Sequence, residues 1–212
     1  MSSEPTTNGR LTADTGFLRA ADPSPGADRL FADDREQFGC VMNLSRPWAH
    51  LPEAHESLFA LMRDAAGTAG LSFRQRAILV ASSAGVLGDP HCSLAWGTRL
   101  AGETGDEVAA AVLRGEDTEL EPAERALARW ARQLARDSNG TGAADAQALR
   151  DAGFDDTQVA AITLYVALRI AYATVNDGLG ARPDRPLRAA APESVREVVT
   201  YGRPTADEEP PT

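Results

Sequence analysis

Apolar positions along this chain recur at spacings of three and four and show no convincing alternation of two, so the pattern predicts helices rather than strands. Leu58, Leu61 and Met62 share one side of the segment 52–66, and Leu127, Trp130 and Leu134 share one side of 122–137. Punctuation sets the ends. Gly67 and Gly70 close the first of these, and Ser72 then precedes a helix running to about Leu87. Asp89-Pro90 opens the next, with Asp suited to the N-cap and Pro to the first helical position; that helix ends near Gly102. Short helices are predicted over 106–113 and 145–152, and a long one from Asp155 to about Asn176. A first helix fits 27–38, and Ser45-Arg46-Pro47-Trp48 reads as a break.

Two of these helices are too apolar for ordinary surface helices. The segment 77–87 carries no charge, and 159–175 carries only Arg169. A helix apolar nearly all round is buried, by its own core or by a neighbouring subunit. A membrane span needs about 20 strongly apolar residues, and the second run includes Arg169, two Tyr and two Thr. The expected architecture is therefore an all-α domain over 27–185, with central helices shared between copies. Residues 1–26, rich in Ser, Thr, Pro, Gly and Asp, read as a flexible arm. Residues 186–212 read as a C-terminal tail.

Charge narrows the function classes. The 212 residues hold 31 acidic and 21 basic side chains, giving a net charge of -10. That balance argues against nucleic acid and anionic membrane as partners. Every basic residue is Arg, so a lysine Schiff base is excluded. Two cysteines, Cys40 and Cys92, do not make a disulfide scaffold. The N-terminus has no apolar signal core, which predicts a cytoplasmic protein. His50, His55 and His91 are too scattered to suggest zinc.

The chemistry concentrates in Asp89-Pro90-His91-Cys92-Ser93-Leu94-Ala95-Trp96. Cys92 falls in the first turn of a helix, where the helix dipole favours a thiolate. This layout resembles the alkylhydroperoxidase D and carboxymuconolactone decarboxylase superfamily, whose redox members carry Glu, eleven residues, then C-x-x-C-x-x-x-H. Laid on that pattern, Cys92 is the second cysteine. Ala77 stands at the glutamate position, Asp89 at the first cysteine and Trp96 at the final histidine. The resemblance covers about residues 40–185. It implies an alkylhydroperoxidase D-like helical bundle assembled as trimers or as hexamers of dimers. The segments 149–154 and 176–180 look like the longer, peroxidase-related members.

A dithiol peroxidase needs a sulfenic acid on one thiol and a second thiol to condense with it. Asp89 cannot form a disulfide, and its charge one turn from Cys92 raises the thiol pKa against the helix dipole. The resemblance instead implies an enzyme without a redox dithiol, like the cofactor-free decarboxylase members. It would act on a small organic acid or lactone-like molecule. In that reading His91 moves the proton, Asp89 orients it or acts as base, Arg169 holds a carboxylate and Trp96 excludes water. Tyr172 and Arg76 are further candidates for the substrate pocket, and no cofactor or metal is expected. A single-cysteine antioxidant protein using Cys92, with Cys40 as a distant resolving thiol, is the alternative. A non-catalytic ligand-binding oligomer is another. Each residue also has a plainer role: Asp89 as an N-cap, Cys92 as a small core side chain, His91 as a surface or capping residue, Arg169 as half of an ion pair. The enzyme reading requires His91 and Arg169 to share one pocket.

Overall fold

The computed structural model describes residues 16–206. Among them are eleven α-helices and one 3-10 turn, and no strand. The helices are α1 (Pro25–Phe38), α2 (Ser45–Trp48), α3 (Pro52–Thr68), α4 (Phe73–Leu87), α5 (Pro90–Thr104), α6 (Asp106–Arg114), α7 (Pro122–Asp137), α8 (Ala143–Asp151), α9 (Asp156–Gly178), α10 (Arg185–Ala190) and α11 (Glu193–Val198). Local chemistry starts most of the long ones. Ser72 and Gln75 form a reciprocal capping box at α4, and Asp155 and Gln158 do the same at α9, each satisfying two otherwise orphaned backbone donors.

The charge-free helix α4 is the hub. It packs against α5 and α7 and also touches α6 and α9, while α3 lies along α9. Residues 77–84 are all buried, as their composition requires. One core lies between α3, α4, α7 and α9, with Leu79, Leu127, Ile162 and Val166 nearly inaccessible; a second lies between α4, α5, α6 and α11, around Ile78, Leu94, Leu100 and Val112. Each such side chain contributes roughly 1.5–3 kcal/mol on burial. At Gly85 an added Cβ would sit 2.5 Å from the Leu113 carbonyl oxygen, so glycine lets α4 and α6 approach that closely.

Helix α9 is only partly covered. Arg169, Tyr165 and Tyr172 face inward, whereas Leu164 is 46% exposed. By length and composition only, α9 is long and apolar enough to cross a membrane, and 44% of its apolar window is buried against the rest of the chain.

Three sequence expectations are corrected. The expected break at 45–48 is a one-turn helix, α2. Proline is tolerated there because a first-turn N–H has no intrahelical partner to lose. The chain from residue 186 is not simply a tail. It forms most of α10 and all of α11, with Val195 fully buried and Ala191 and Val199 nearly so. Their apolar spacing is hidden in two short pieces flanked by Pro, too brief to show a helical period. The described part of the expected arm is tied down as well. Phe17 N–H donates to the Leu179 carbonyl at 2.9 Å, and Arg203 stacks on the Phe17 ring. Residues 1–15 of that arm and 207–212 of that tail lie outside the described residues.

Candidate functional site

A cavity of about 610 Å³ opens between α1, α3, α5 and α9. Helix α5 supplies its reactive wall. The N-cap Asp89 places His91 and Cys92 in the first turn, and Ala95, Trp96 and Arg99 follow on the same face at helical spacing. Helix α9 adds Arg169 and Tyr172, and α3 adds His55 and Phe59. His91 and Arg169 therefore share one pocket, as the enzyme reading requires.

Cys92 is 3% exposed, and no disulfide joins it to Cys40. Its backbone N–H donates to Asp89 Oδ1 at 2.9 Å. Burial pushes the thiol pKa well above its ordinary value, the Asp89 charge adds to this, and Arg169 opposes it. Burial, with the neighbouring carboxylate on the same side, thus leaves the thiol protonated at neutral pH. Asp89 caps α5 and is 1% exposed, but it does not line the cavity. It fills the capping role rather than that of a base in contact with a ligand.

His91 is buried, which corrects its surface reading. Burial drives its pKa down to about 4, with Arg99 and Arg169 acting in the same direction and Asp89 against it. The imidazole is neutral at pH 7. Its Nδ1 has no hydrogen-bond partner among the described residues.

Arg169 is 8% exposed and its guanidinium carbon lies 4.9 Å from the Trp96 ring centre and 5.6 Å from that of Tyr172. Its Nη1 reaches Met62 Sδ at 3.7 Å, and its Nε is unpartnered. Arg99 stacks on Trp96 at 5.0 Å and donates to the Ala95 carbonyl. Burial, and then Arg169, lower its pKa. Among the described residues neither guanidinium pairs with a carboxylate, so the structural ion pair considered for Arg169 is not formed. Cationic side chains of this kind hold an anion bidentate. Arg76 does not line the cavity. It folds onto Phe73 in the first turn of its own helix. Arg74 is likewise engaged elsewhere, in a bidentate pair with Glu124.

Three contributors escaped the sequence reading. Arg99 was legible, since it lies on the Cys92–Trp96 face of α5. His55 and Phe59 were not, because they reach the cavity only through the packing of α3 on α9.

No protein-family model matches the chain, and no curated protein matches it in sequence. Solved structures do match. The alkylhydroperoxidase core of an uncharacterized peroxidase-related protein from Ralstonia eutropha JMP134 superposes with a TM-score of 0.68 over 89% of this chain and 98% of its own, at 18% identity. The fold is that of the alkylhydroperoxidase D core. An uncharacterized peroxidase-related protein from Silicibacter sp. TM1040 gives 0.66 at 20% identity, covering 86% of this chain and 95% of that one. The debrominase Bmp8, in a cysteine-to-alanine variant bound to 2,3,4-tribromopyrrole, gives 0.65 at 14% identity, over 84% of this chain and 95% of its own.

On this alkylhydroperoxidase D fold the substituted motif positions have definite surroundings. Ala77, where the motif has glutamate, is fully buried in the second core and offers no carboxylate. Trp96, where it has histidine, forms a cavity wall under two guanidiniums. Among the described residues no group of three or more His, Cys, Asp or Glu is arranged to hold a metal ion.

Proposed function

We propose that the chain is a divergent enzyme of the carboxymuconolactone decarboxylase type that acts without a redox dithiol on a small organic acid or lactone-like molecule. The observation that carries this reading is the pair of half-buried Arg99 and buried Arg169, which share the cavity with His91 and make no ion pair with a carboxylate among the described residues. Two uncompensated guanidiniums in a cavity are costly unless an anion joins them. Arg169 and Arg99 hold the carboxylate. His91, neutral and in the same wall, takes or returns the proton. A bound anion raises the imidazole's basicity, because negative charge nearby favours the imidazolium. Trp96 and Tyr172 keep water from the anion. Asp89 acts only through its placement of the α5 first turn.

The single-cysteine antioxidant alternative is less well supported, since burial and Asp89 both disfavour the Cys92 thiolate. Self-association belongs to the proposed reading too: α9 leaves Leu164 and α3 leaves Leu61 half exposed. Light scattering on the purified chain tests it.

The test of function is a thermal-shift screen of small carboxylic acids at pH 7, followed by product analysis of every hit. Binding to the native state raises the melting temperature by mass action. The expected result is stabilisation of the unmodified chain and none in Arg169→Met. A chain indifferent to every organic acid refutes the reading, and hits that bind without turnover reduce it to a binding protein.

A further inference from the structure

The anion cavity is also an aromatic one. The whole chain holds three Trp, three Tyr and six Phe, and a third of them, Phe38, Phe59, Trp96 and Tyr172, line this single cavity together with His55. They come from four helices, α1, α3, α5 and α9, so the rings face the space from several sides rather than forming one stripe on one helix.

Three of these rings, His55, Phe59 and Tyr172, are held in place by one another. His55 and Phe59 lie 4.5 Å apart between centroids, and Phe59 meets Tyr172 edge-on at 5.2 Å and 90°. Trp48 stacks behind Tyr172 at 5.5 Å, and its own Nε1 donates to Asn176 Oδ1 at 2.8 Å. The wall is therefore organised before any ligand arrives, which removes part of the ordering cost of binding. The His55 ring nitrogens have no hydrogen-bond partner among the described residues. The imidazole is positioned by packing alone and remains available to a polar substituent. Burial keeps it neutral by lowering its pKa.

Aromatic walls of this kind accept either a cation or another ring. The two guanidiniums decide between them. A cationic ligand would be repelled by Arg99 and Arg169. Of the carboxylates on the α1 and α3 side, Asp33 and Glu56 are exposed and act in water, while the buried Asp34 is engaged by the Met42 N–H and burial disfavours its ionisation. Arg99 lies over the Trp96 ring and Arg169 over those of Trp96 and Tyr172, and it is the N–H groups of a guanidinium, not its face, that bind an acid group. We infer that the ligand is an aromatic or heteroaromatic carboxylate, its ring against Phe59, Trp96 and Tyr172 and its acid group on Arg99 and Arg169. This rests on the anion-pocket reading above and adds the ring to it.

The test compares benzoate with cyclohexanecarboxylate by calorimetric titration of the full chain. The two probes share the acid group and carbon count and differ only in the ring. Benzoate is expected to bind roughly three- to tenfold tighter, the usual gain from ring–ring geometry beyond area. Phe59→Leu, which keeps apolar bulk but removes the ring, should bring that ratio close to one. Equal affinity of the two acids for the unmodified chain overturns the inference and leaves the anion pocket standing, a result that needs no variant to fold. Phenyltrimethylammonium binding as tightly as benzoate overturns it as well. Failure of both acids to bind overturns the anion pocket and the inference together.

Discussion

Asp34 and Asp184, 150 positions apart, grip adjacent backbone amides of one loop. Asp34 Oδ2 accepts from Met42 N–H at 2.9 Å, and Asp184 accepts from Asn43 N–H at 3.0 Å. Met42 lines the cavity, so this double clamp fixes the loop that closes one side of it. Burial raises both carboxyl pKa values, that of Asp184 to about 6, and the Asp34 charge adds to the rise at Asp184 as the Asp33 charge does at Asp34.

A first prediction follows from that raised value. The folded chain holds the Asp184 proton more tightly than the unfolded one, so its contribution is complete below pH 3.8 and is lost as pH rises through about 6. Asp184→Asn should therefore gain on the unmodified chain between pH 4.5 and 7, by about 2–3 kcal/mol at most. Urea denaturation at the two pH values measures it, and an unchanged difference refutes the linkage.

His91 carries the opposite sign. Its folded pKa, about 4, lies below its ordinary 6.5. The unfolded chain takes up the proton first as pH falls, so the contribution is complete above 6.5 and is lost toward 4. His91→Gln should remove up to about 3 kcal/mol of acid destabilisation. The readout is the slope of stability between pH 7 and 5, which should flatten in the variant.

The thiol of Cys92 should be inert at pH 7. In a Cys40→Ser background, its reaction with a disulfide reagent should run at least about tenfold slower than that of a free thiol, given the depressed thiolate fraction. It should accelerate on unfolding in urea. A native rate matching free cysteine would restore the single-cysteine alternative.

Arg169 separates stability from binding. Removing a buried, unpaired charge in favour of a similar-sized apolar side chain should stabilise the ligand-free protein, by about 1–3 kcal/mol. Arg169→Met should therefore melt higher without ligand yet lose the response to carboxylic acids. A lower melting point would mean that the guanidinium is structurally compensated.

Val195 tests the C-terminal region. It is fully buried in the second core, and Val195→Ala should cost about 2 kcal/mol through lost burial and the cavity left behind. A true tail would tolerate the change within experimental error in a denaturation curve.

The sequence by itself determined most helix starts, because caps such as Ser72, Asp89 and Asp155 act on donors only two or three residues away. It also determined that Cys92 has no sulfur partner one turn before it, since that is a matter of residue identity at a local spacing. Burial of α4 was equally legible from its lack of charge. Only the tertiary structure decided that His55 and Phe59 of α3 face Arg169 and Tyr172 of α9 across one cavity, and that Arg76 does not. Those relations span more than a hundred residues and depend on how whole helices pack, which no local period encodes. The burial that silences the Cys92 thiol and neutralises His91 has the same origin, for desolvation is a property of everything around a group and not of its neighbours in the chain.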